Sequence, residues 1–246
     1  MANFLALCQR THLEIGGGPG DPGTNPTATT AQTGKLLNIV TWVNFAYKSI
    51  QNSKRFWRWM IDEATGEETI SVGDSSVTLL GDNTDFDRLL AYEPNANPYV
   101  LFYQSSIGTT DAQPCYLLPW AKFNGYYDSG RFSGSSGRPQ FCAISPDGTL
   151  RFHPKADVVY KLKYQYKKDL QNLSATTDTP LMPGQFHDLI WMLALTYYGK
   201  SNEANRVVNN YGAGLIDLRN PDAPLPTLYR QLCREQMADA SYFGNR

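Results

Sequence analysis

Apolar residues recur at helical spacing near both ends of the chain and at strand spacing through its middle. Phe4, Leu5, Cys8 and His12 or Leu13 predict a short helix over residues 2–14. Leu36, Val40, Val43, Tyr47 and Ile50 lay down a second stripe, resumed by Trp57 and Ile61. This predicts a long helix over residues 33–61 with Thr33 as its N-cap. Trp42, Phe45, Phe56 and Trp59 fall off that stripe, and a helix apolar on more than one face is covered from more than one side. Near the other end, Phe186, Leu189, Ile190, Leu193 and Tyr197 share one face of a helix over 185–200 that is expected to run on to Tyr211. Gly212-Ala213-Gly214 would end it. A last helix, from Thr227, carries Leu228 and Leu232.

Between these helices the period changes to two. From Val159 to Lys167, Tyr160, Leu162, Tyr164 and Tyr166 alternate with Lys161, Lys163, Gln165 and Lys167, which predicts a strand with one solvated face. Residues 141–144 and 149–152 bracket Ser145-Pro146-Asp147-Gly148, a turn in which Gly148 takes the left-handed position, so they form a hairpin. Residues 69–72 and 77–80 flank Gly73-Asp74-Ser75-Ser76 and predict another hairpin. Residues 99–103 form a further strand. Helices, then strands, then helices imply an α+β chain: a helical bundle body (1–62 and 180–246) with an inserted small antiparallel β domain (63–179).

Composition narrows the function. The 246 residues suffice for a real hydrophobic core without a metal or disulfide staple. A net charge of −1, with only 18% charged residues, gives no general attraction to nucleic acid. Cys8, Cys115, Cys142 and Cys233 are widely spaced, so they predict small buried hydrophobes in a reducing compartment, not a zinc site. The start of the chain lacks a signal peptide's basic and apolar regions. The longest apolar run, 189–195, is far short of the ~20 residues of a membrane span.

Candidate chemistry thins out on inspection. Gly18-Pro19-Gly20-Asp21-Pro22-Gly23 spells a dinucleotide-binding motif, but a helix precedes it and two prolines remove the amides a phosphate would need. His187 and Asp188 are neighbours on a helix, so their side chains diverge. Glu67-Glu68 and the Asp85/Asp87 pair are the carboxylates a wall-degrading glycosidase could use. Asn172-Leu173-Ser174 is a chance sequon. Lys161, Lys163, Lys167 and Lys168 form a basic strip, read as a solvated sheet face or as a contact for DNA phosphates or an acidic partner. No catalytic, cofactor or metal residue is assigned.

Four ordered segments resemble the head-to-tail adaptor, or head-completion, proteins of tailed phages, particularly the tail accessory factors of short-tailed phages. They are the opening run from Phe4 to Arg10, and Gln32 to Val43 continuing through Ile50 and Gln51 to Phe56-Trp57-Arg58-Trp59-Met60. The third is Gly137-Arg138-Pro139-Gln140 with Ile144 to Pro154 and the Tyr160-to-Tyr166 strand. The fourth is Pro180-Leu181-Met182-Pro183 through Phe186-His187-Asp188 to Leu195. The resemblance implies a non-enzymatic virion protein made in the bacterial host cytoplasm. It implies a dodecameric ring in the neck, bound to the portal protein on one side and to tail, nozzle or fibre proteins on the other. Double-stranded DNA would pass through the ring during ejection without sequence recognition, and neither a membrane nor a cofactor is involved. Trp42, Phe45, Phe56 and Trp59, joined by Leu228, Leu232, Tyr242 and Phe243 in the C-terminal segment that docks on the portal in relatives, are the expected interface residues. The alternatives are another tail or nozzle component and the glycosidase.

Overall fold

The structure is a computed structural model that describes residues 2–16, 26–54, 56–80, 85–92, 97–128, 134–201, 210–217 and 220–236. It divides into two compact units, Met1–Trp59 with Leu170–Met237, and Met60–Asp169.

The first unit is helical. Helix α1 (Phe4–Glu14) is capped by Asn3, whose side chain accepts from the Ala6 amide at 2.9 Å, and it buries Phe4, Leu7 and Cys8. Helix α2 spans Gly34–Asn52 and buries Ile39, Val43, Ala46, Tyr47 and Ile50. It stops nine residues short of the predicted end at 61 for a local reason. Ser53 Oγ donates to the Ile50 carbonyl at 2.6 Å, and the indole of Trp57 folds back to donate to the Ile50 and Gln51 carbonyls at 3.1 and 3.2 Å. Carbonyls that would have continued the helix are thereby satisfied. Phe56, Trp57 and Trp59 lie beyond the helix, and Ile61 opens a strand.

Helix α4 (Asp188–Ser201) packs against α1, α2 and α5 (Pro224–Gln236). Leu189, Ile190, Trp191, Leu193, Ala194 and Leu195 are all buried. A helix apolar all round belongs at the centre of its unit. Its expected run to Tyr211 crosses residues 202–209, which lie outside the described ones. Three α2 residues at helical spacing bind the extended segment after residue 170 as a strand would. Gln51 accepts from the Gln171 amide at 2.9 Å and donates to its carbonyl at 3.0 Å. Asn44 does the same at Leu173, at 3.3 and 2.8 Å. Between them the Tyr47 hydroxyl donates to Gln171 Oε1 at 2.8 Å.

Among the described residues the second unit holds eight strands: β1 (Ile61–Ile70), β2 (Ser76–Val77), β3 (Phe86–Leu90), β4 (Tyr99–Gln104), β5 (Gln113–Leu117), β6 (Phe141–Ile144), β7 (Leu150–His153) and β8 (Tyr160–Lys168). Their order is β1-β8-β4-β5-β6-β7-β2, with β3 also paired to β8. The strands at the two ends of this path, β1 and β2, are joined by only five residues. The sheet must therefore curl until its ends nearly meet. Glu68 bridges the seam: Oε1 accepts from the Leu80 amide at 2.8 Å and from the Tyr164 hydroxyl. Ala64, Ile70, Val100, Phe102, Cys115, Cys142, Leu150, Phe152, Leu162 and Tyr160, Tyr164 and Tyr166 fill the inside of the curl. Each large side chain buried there contributes roughly 1.5–3 kcal/mol. A short helix α3 (Trp120–Phe123) continues into a π-turn over Asn124–Asp128.

The fold-class expectation is corrected. The chain is mixed α/β, not a helical bundle with a small antiparallel insertion. The sheet is a full unit with its own core, and β5 and β6 run parallel. The hairpin over 69–72 and 77–80 does not form. Residues 69–70 pair with β8, whereas 76–77 pair with β7. The 141–144 hairpin and the strand from Tyr160 form as read, with Gly148 at φ +86°.

Candidate interaction surfaces

Glu68, Asp85, Asp87 and His187 each have a partner within the fold. Glu68 is buried at the seam, Asp85 accepts from the Tyr166 hydroxyl at 2.7 Å, and Asp87 pairs with Lys167 at 2.7 Å. Glu68, Asp85 and Asp87, three of the carboxylates weighed for glycoside hydrolysis, thus serve as hydrogen-bond and ion-pair partners within the β-rich unit. His187 is buried, with Nδ1 facing the Ala2 amide at 3.3 Å and Nε2 facing the Met182 carbonyl at 2.9 Å. Among the described residues no group of three or more His, Cys, Asp or Glu could hold a metal ion, and no helix is long and apolar enough to cross a membrane. The glycine-rich motif at 18–23 lies outside the described residues. All four cysteines are free. Cys8, Cys115 and Cys142 are buried, while Cys233 is half-buried, a departure from the expected fourth core position. Burial pushes the Cys8 thiol up to about 12.

The basic strip is not a free row of cations. Lys163 pairs with Glu63 at 2.8 Å, Lys167 with Asp87, and Lys168 with Asp62 at 2.5 Å and Asp85 at 3.7 Å. The carboxylates come from β1 and from β3 or the residues before it, which flank β8 on its two sides. Desolvation works to raise the Glu63 carboxyl, but hydrogen bonds from Lys163 and Tyr92 outweigh it and leave it below its ordinary value. Asp62 is lowered in the same way by Lys168. Sequence gave the lysines but not their partners, because no local pattern tells which strands lie beside β8.

The expected interface residues separate by burial. On α2, Phe45 is 57% exposed and Leu37 48%, with exposed Thr41 between them. The three lie four residues apart, so they line one face. Trp42 is half-buried, its ring edge-on to Tyr198 at 5.7 Å, and Phe45 meets Tyr197 in the same way at 5.2 Å. Phe56 and Trp59 are half-buried. Trp59 stacks on Trp57 and Tyr47, and its Nε1 is buried without a hydrogen-bond partner among the described residues. In α5, Leu228 is half-buried and Leu232 fully buried, so Leu232 serves the helical core. Tyr242 and Phe243 lie outside the described residues.

Leu37 was missed because it flanks the stripe read as core. A second apolar surface was missed altogether, since it is assembled from three strands. On the outer face of β4, β5 and β6, two hollows of about 280 and 320 Å³ adjoin. Tyr99, Leu101 and Pro114 line the first, Leu117, Leu118 and Phe141 the second, and Asn97 and Tyr116 belong to both. Tyr116 is 42% exposed. The Tyr92 hydroxyl donates to Glu63 at 2.6 Å, Tyr92 stacks on Tyr99 at 5.4 Å, and Tyr99 meets Tyr116 edge-on at 6.4 Å. Burial and the Glu63 carboxylate push the Tyr92 phenol well above its ordinary value, so it remains a donor.

No curated protein matches the sequence. Large apolar side chains left exposed, Leu37 and Phe45 on α2 and Tyr116 on the sheet, fit a protein that joins others. Consistent with that, the chain matches the model of the SU10 adaptor protein family over residues 2–227, and it belongs to this family of phage adaptors.

Proposed function

We propose that the protein is a ring-forming adaptor of the virion neck, joining the portal to the tail around the DNA channel. The observation that carries this reading is the exposed Leu37–Phe45 face of α2, bordered by Trp42. Leaving large apolar side chains in water along one face is unfavourable by about 25 cal/mol per Å², and a neighbouring subunit removes that penalty. Leu228 and the half-buried Phe56 and Trp59 extend the proposed contacts, and Tyr242 and Phe243 extend them towards the portal. A permanent ring buries roughly 2,000 Å² or more at each contact, and the resemblance to tail accessory factors implies twelve copies. Passage of double-stranded DNA is favoured by a wall that does not grip phosphate. The β8 lysines, three of them paired with carboxylates, are compatible with such a wall.

The test is Phe45→Glu, with and without Leu37→Glu, assayed by native mass spectrometry of the chain mixed with portal protein. The wild type is expected to form a large complex. The charged variants are expected to keep their melting temperature and to fail to assemble. Full assembly of the double variant overturns this reading of α2.

A further inference from the structure

Charge is divided between the two units of the chain. Residues 1–59 and 170–237 hold eleven Lys and Arg against eight Asp and Glu, a net charge of +3. Residues 60–169 hold ten against fourteen, a net charge of −4. The division is sharpest where the first unit gives way to the second. Residues 22–60 carry Lys35, Lys48, Lys54, Arg55 and Arg58 and not one acid, whereas residues 61–93 carry nine acids and the single cation Arg88. We propose that the exposed face of α2, with its cations, docks on the acidic second unit of the next copy of the chain, so that neighbouring copies meet through unlike surfaces. This docking rests on the ring-forming reading and assigns a partner to its α2 face.

The make-up of the α2 face selects the partner. Helical spacing puts Leu37, Thr41, Phe45 and Lys48 on one stripe. Leu37 and Phe45 are exposed on the single chain, so what covers them comes from outside it. Among the described residues no ion pair involves Lys48, Lys54 or Arg58, and Arg58 is exposed. An apolar ridge that carries positive charge is matched by a protein surface with surplus carboxylates. The chain supplies that surface itself, because Arg88 and the three paired lysines of β8 are outnumbered by the nine acids of residues 61–93. Nucleic-acid phosphates also attract cations, but a phosphate backbone offers Leu37 and Phe45 no apolar surface to be buried against.

Symmetry points the same way. Two copies that met α2 against α2 would bring like charges together, and such an isologous contact closes at two copies. A closed ring of more than two needs a heterologous contact, in which one patch meets a different one. A positive first unit set on a negative second unit repeats unchanged from copy to copy. At physiological salt the Debye length is about 8 Å, so this charge steers the approach and fixes the orientation at short range. Burial of Leu37 and Phe45 then holds the contact.

The experiment uses two charge-reversed full chains, Lys48→Glu/Arg58→Glu in the first unit and Asp82→Lys/Glu93→Lys in the second. Each is mixed with portal protein and weighed by native mass spectrometry, with melting curves recorded alongside. Each variant alone is expected to form less than about a tenth of the wild-type complex, because attraction is lost at every contact. An equimolar mixture of the two is expected to recover at least half of it, with both variants in equal number. Alternation makes half of its contacts native and reverses both charges at the other half. In the wild type, raising salt from about 50 to about 500 mM is expected to slow assembly at least tenfold, a measurement that needs no variant. Should the first variant fail to fold, Arg58→Glu alone, at an exposed position, replaces it. Full assembly of both variants, or a mixture no better than its components, overturns the unlike-surface contact and leaves the ring reading standing. Failure of the wild type to assemble overturns both. Binding of the wild type to random duplex DNA or to phosphatidylglycerol vesicles at about 150 mM salt, lost in the first variant, also overturns the docking.

Discussion

Replacing Gln51 by alanine removes both halves of a side-chain clamp on the backbone of Gln171. The Gln51 side chain is buried and makes two bonds, accepting from the Gln171 amide at 2.9 Å and donating to its carbonyl at 3.0 Å. Alanine leaves a backbone donor and a backbone acceptor without partners. Each such group costs about 1–3 kcal/mol when water cannot replace the lost bond. The site is only partly buried, so the lower half of that range applies, and the sum is roughly 2–4 kcal/mol. Alanine's better helix propensity returns a few tenths of a kcal/mol at most. At roughly 2–4 °C per kcal/mol for a chain of this size, the melting temperature should fall by about 5–15 °C. Differential scanning calorimetry with urea unfolding measures both quantities. Gln51→Glu sharpens the test. Its carboxylate can still accept from the amide, but it faces the Gln171 carbonyl with negative charge. That variant should be at least as unstable as alanine at pH 7 and recover in part below about pH 4, where a protonated carboxyl can donate again. If Gln51→Ala unfolds within about 0.5 kcal/mol of wild type, the clamp does not hold the segment and the reasoning fails.

Other predictions rest on separate observations. Trp57→Phe keeps most of the core volume but removes the indole that caps the Ile50 and Gln51 carbonyls, so urea unfolding should show a loss of about 1–3 kcal/mol. Gly66 has φ +82°, and an added Cβ would come within 2.4 Å of the Tyr103 hydroxyl oxygen, so Gly66→Ala should lower the melting temperature, with Tyr103→Phe restoring only part of it. Asp62 and Glu63 have folded-state values below their ordinary ones. Their stabilisation is therefore fully present above the unfolded values, near 4, and is lost as pH falls through the folded ones. Guanidinium unfolding should show this acid loss, and it should be smaller in Asp62→Asn/Glu63→Gln. Asp147, held at about 2 first by the Ser145 hydroxyl and then by Thr149, should lose its turn hydrogen bonds only as pH falls through that value, as followed by its carboxyl NMR shift.

What could be read from sequence was whatever is decided within a few residues. The alternation from Tyr160 to Tyr166 survives intact because β8 has one face in the core and one face outward. The Ser145–Thr149 turn survives because its bonds are local. The errors share one cause, a competing partner far away in the chain. Residues 77–80 were assigned to residues 69–72 by proximity, yet β7 takes 76–77 and β8 takes 69–70. The helix read through 61 was ended by Trp57, an apolar residue whose one polar atom found better use as a cap. The candidate surfaces follow the same rule. Phe45 could be picked out because helical spacing is local. The hollow around Tyr116 could not, because its walls come from residues 97–101, 114–118 and 141.

The paired lysines and the aromatic hollows, two halves of the sheet's outer face, gain a common explanation from this arrangement. β8 lies between β1 and β3 near one end and between β1 and β4 near the other. Where β1 and β3 flank it, Lys167 and Lys168 find carboxylates, and Lys163, with β4 on its other side, takes Glu63 of β1. Glu63 belongs to both halves, since one oxygen takes Lys163 and the other takes the Tyr92 hydroxyl that steadies the aromatic array. Severing that link with Glu63→Gln should therefore act in two places at once. It should leave Lys163 unpaired and loosen Tyr92 from Tyr99. Tyr92→Phe should loosen the array alone and leave the ion pair. Line broadening at the Tyr99 and Tyr116 rings in both variants, with a changed Lys163 ammonium signal only in the first, is the expected pattern. Sharp, unmoved ring signals in Glu63→Gln would mean that the array is held by ring stacking alone and that the charged half plays no part in ordering it.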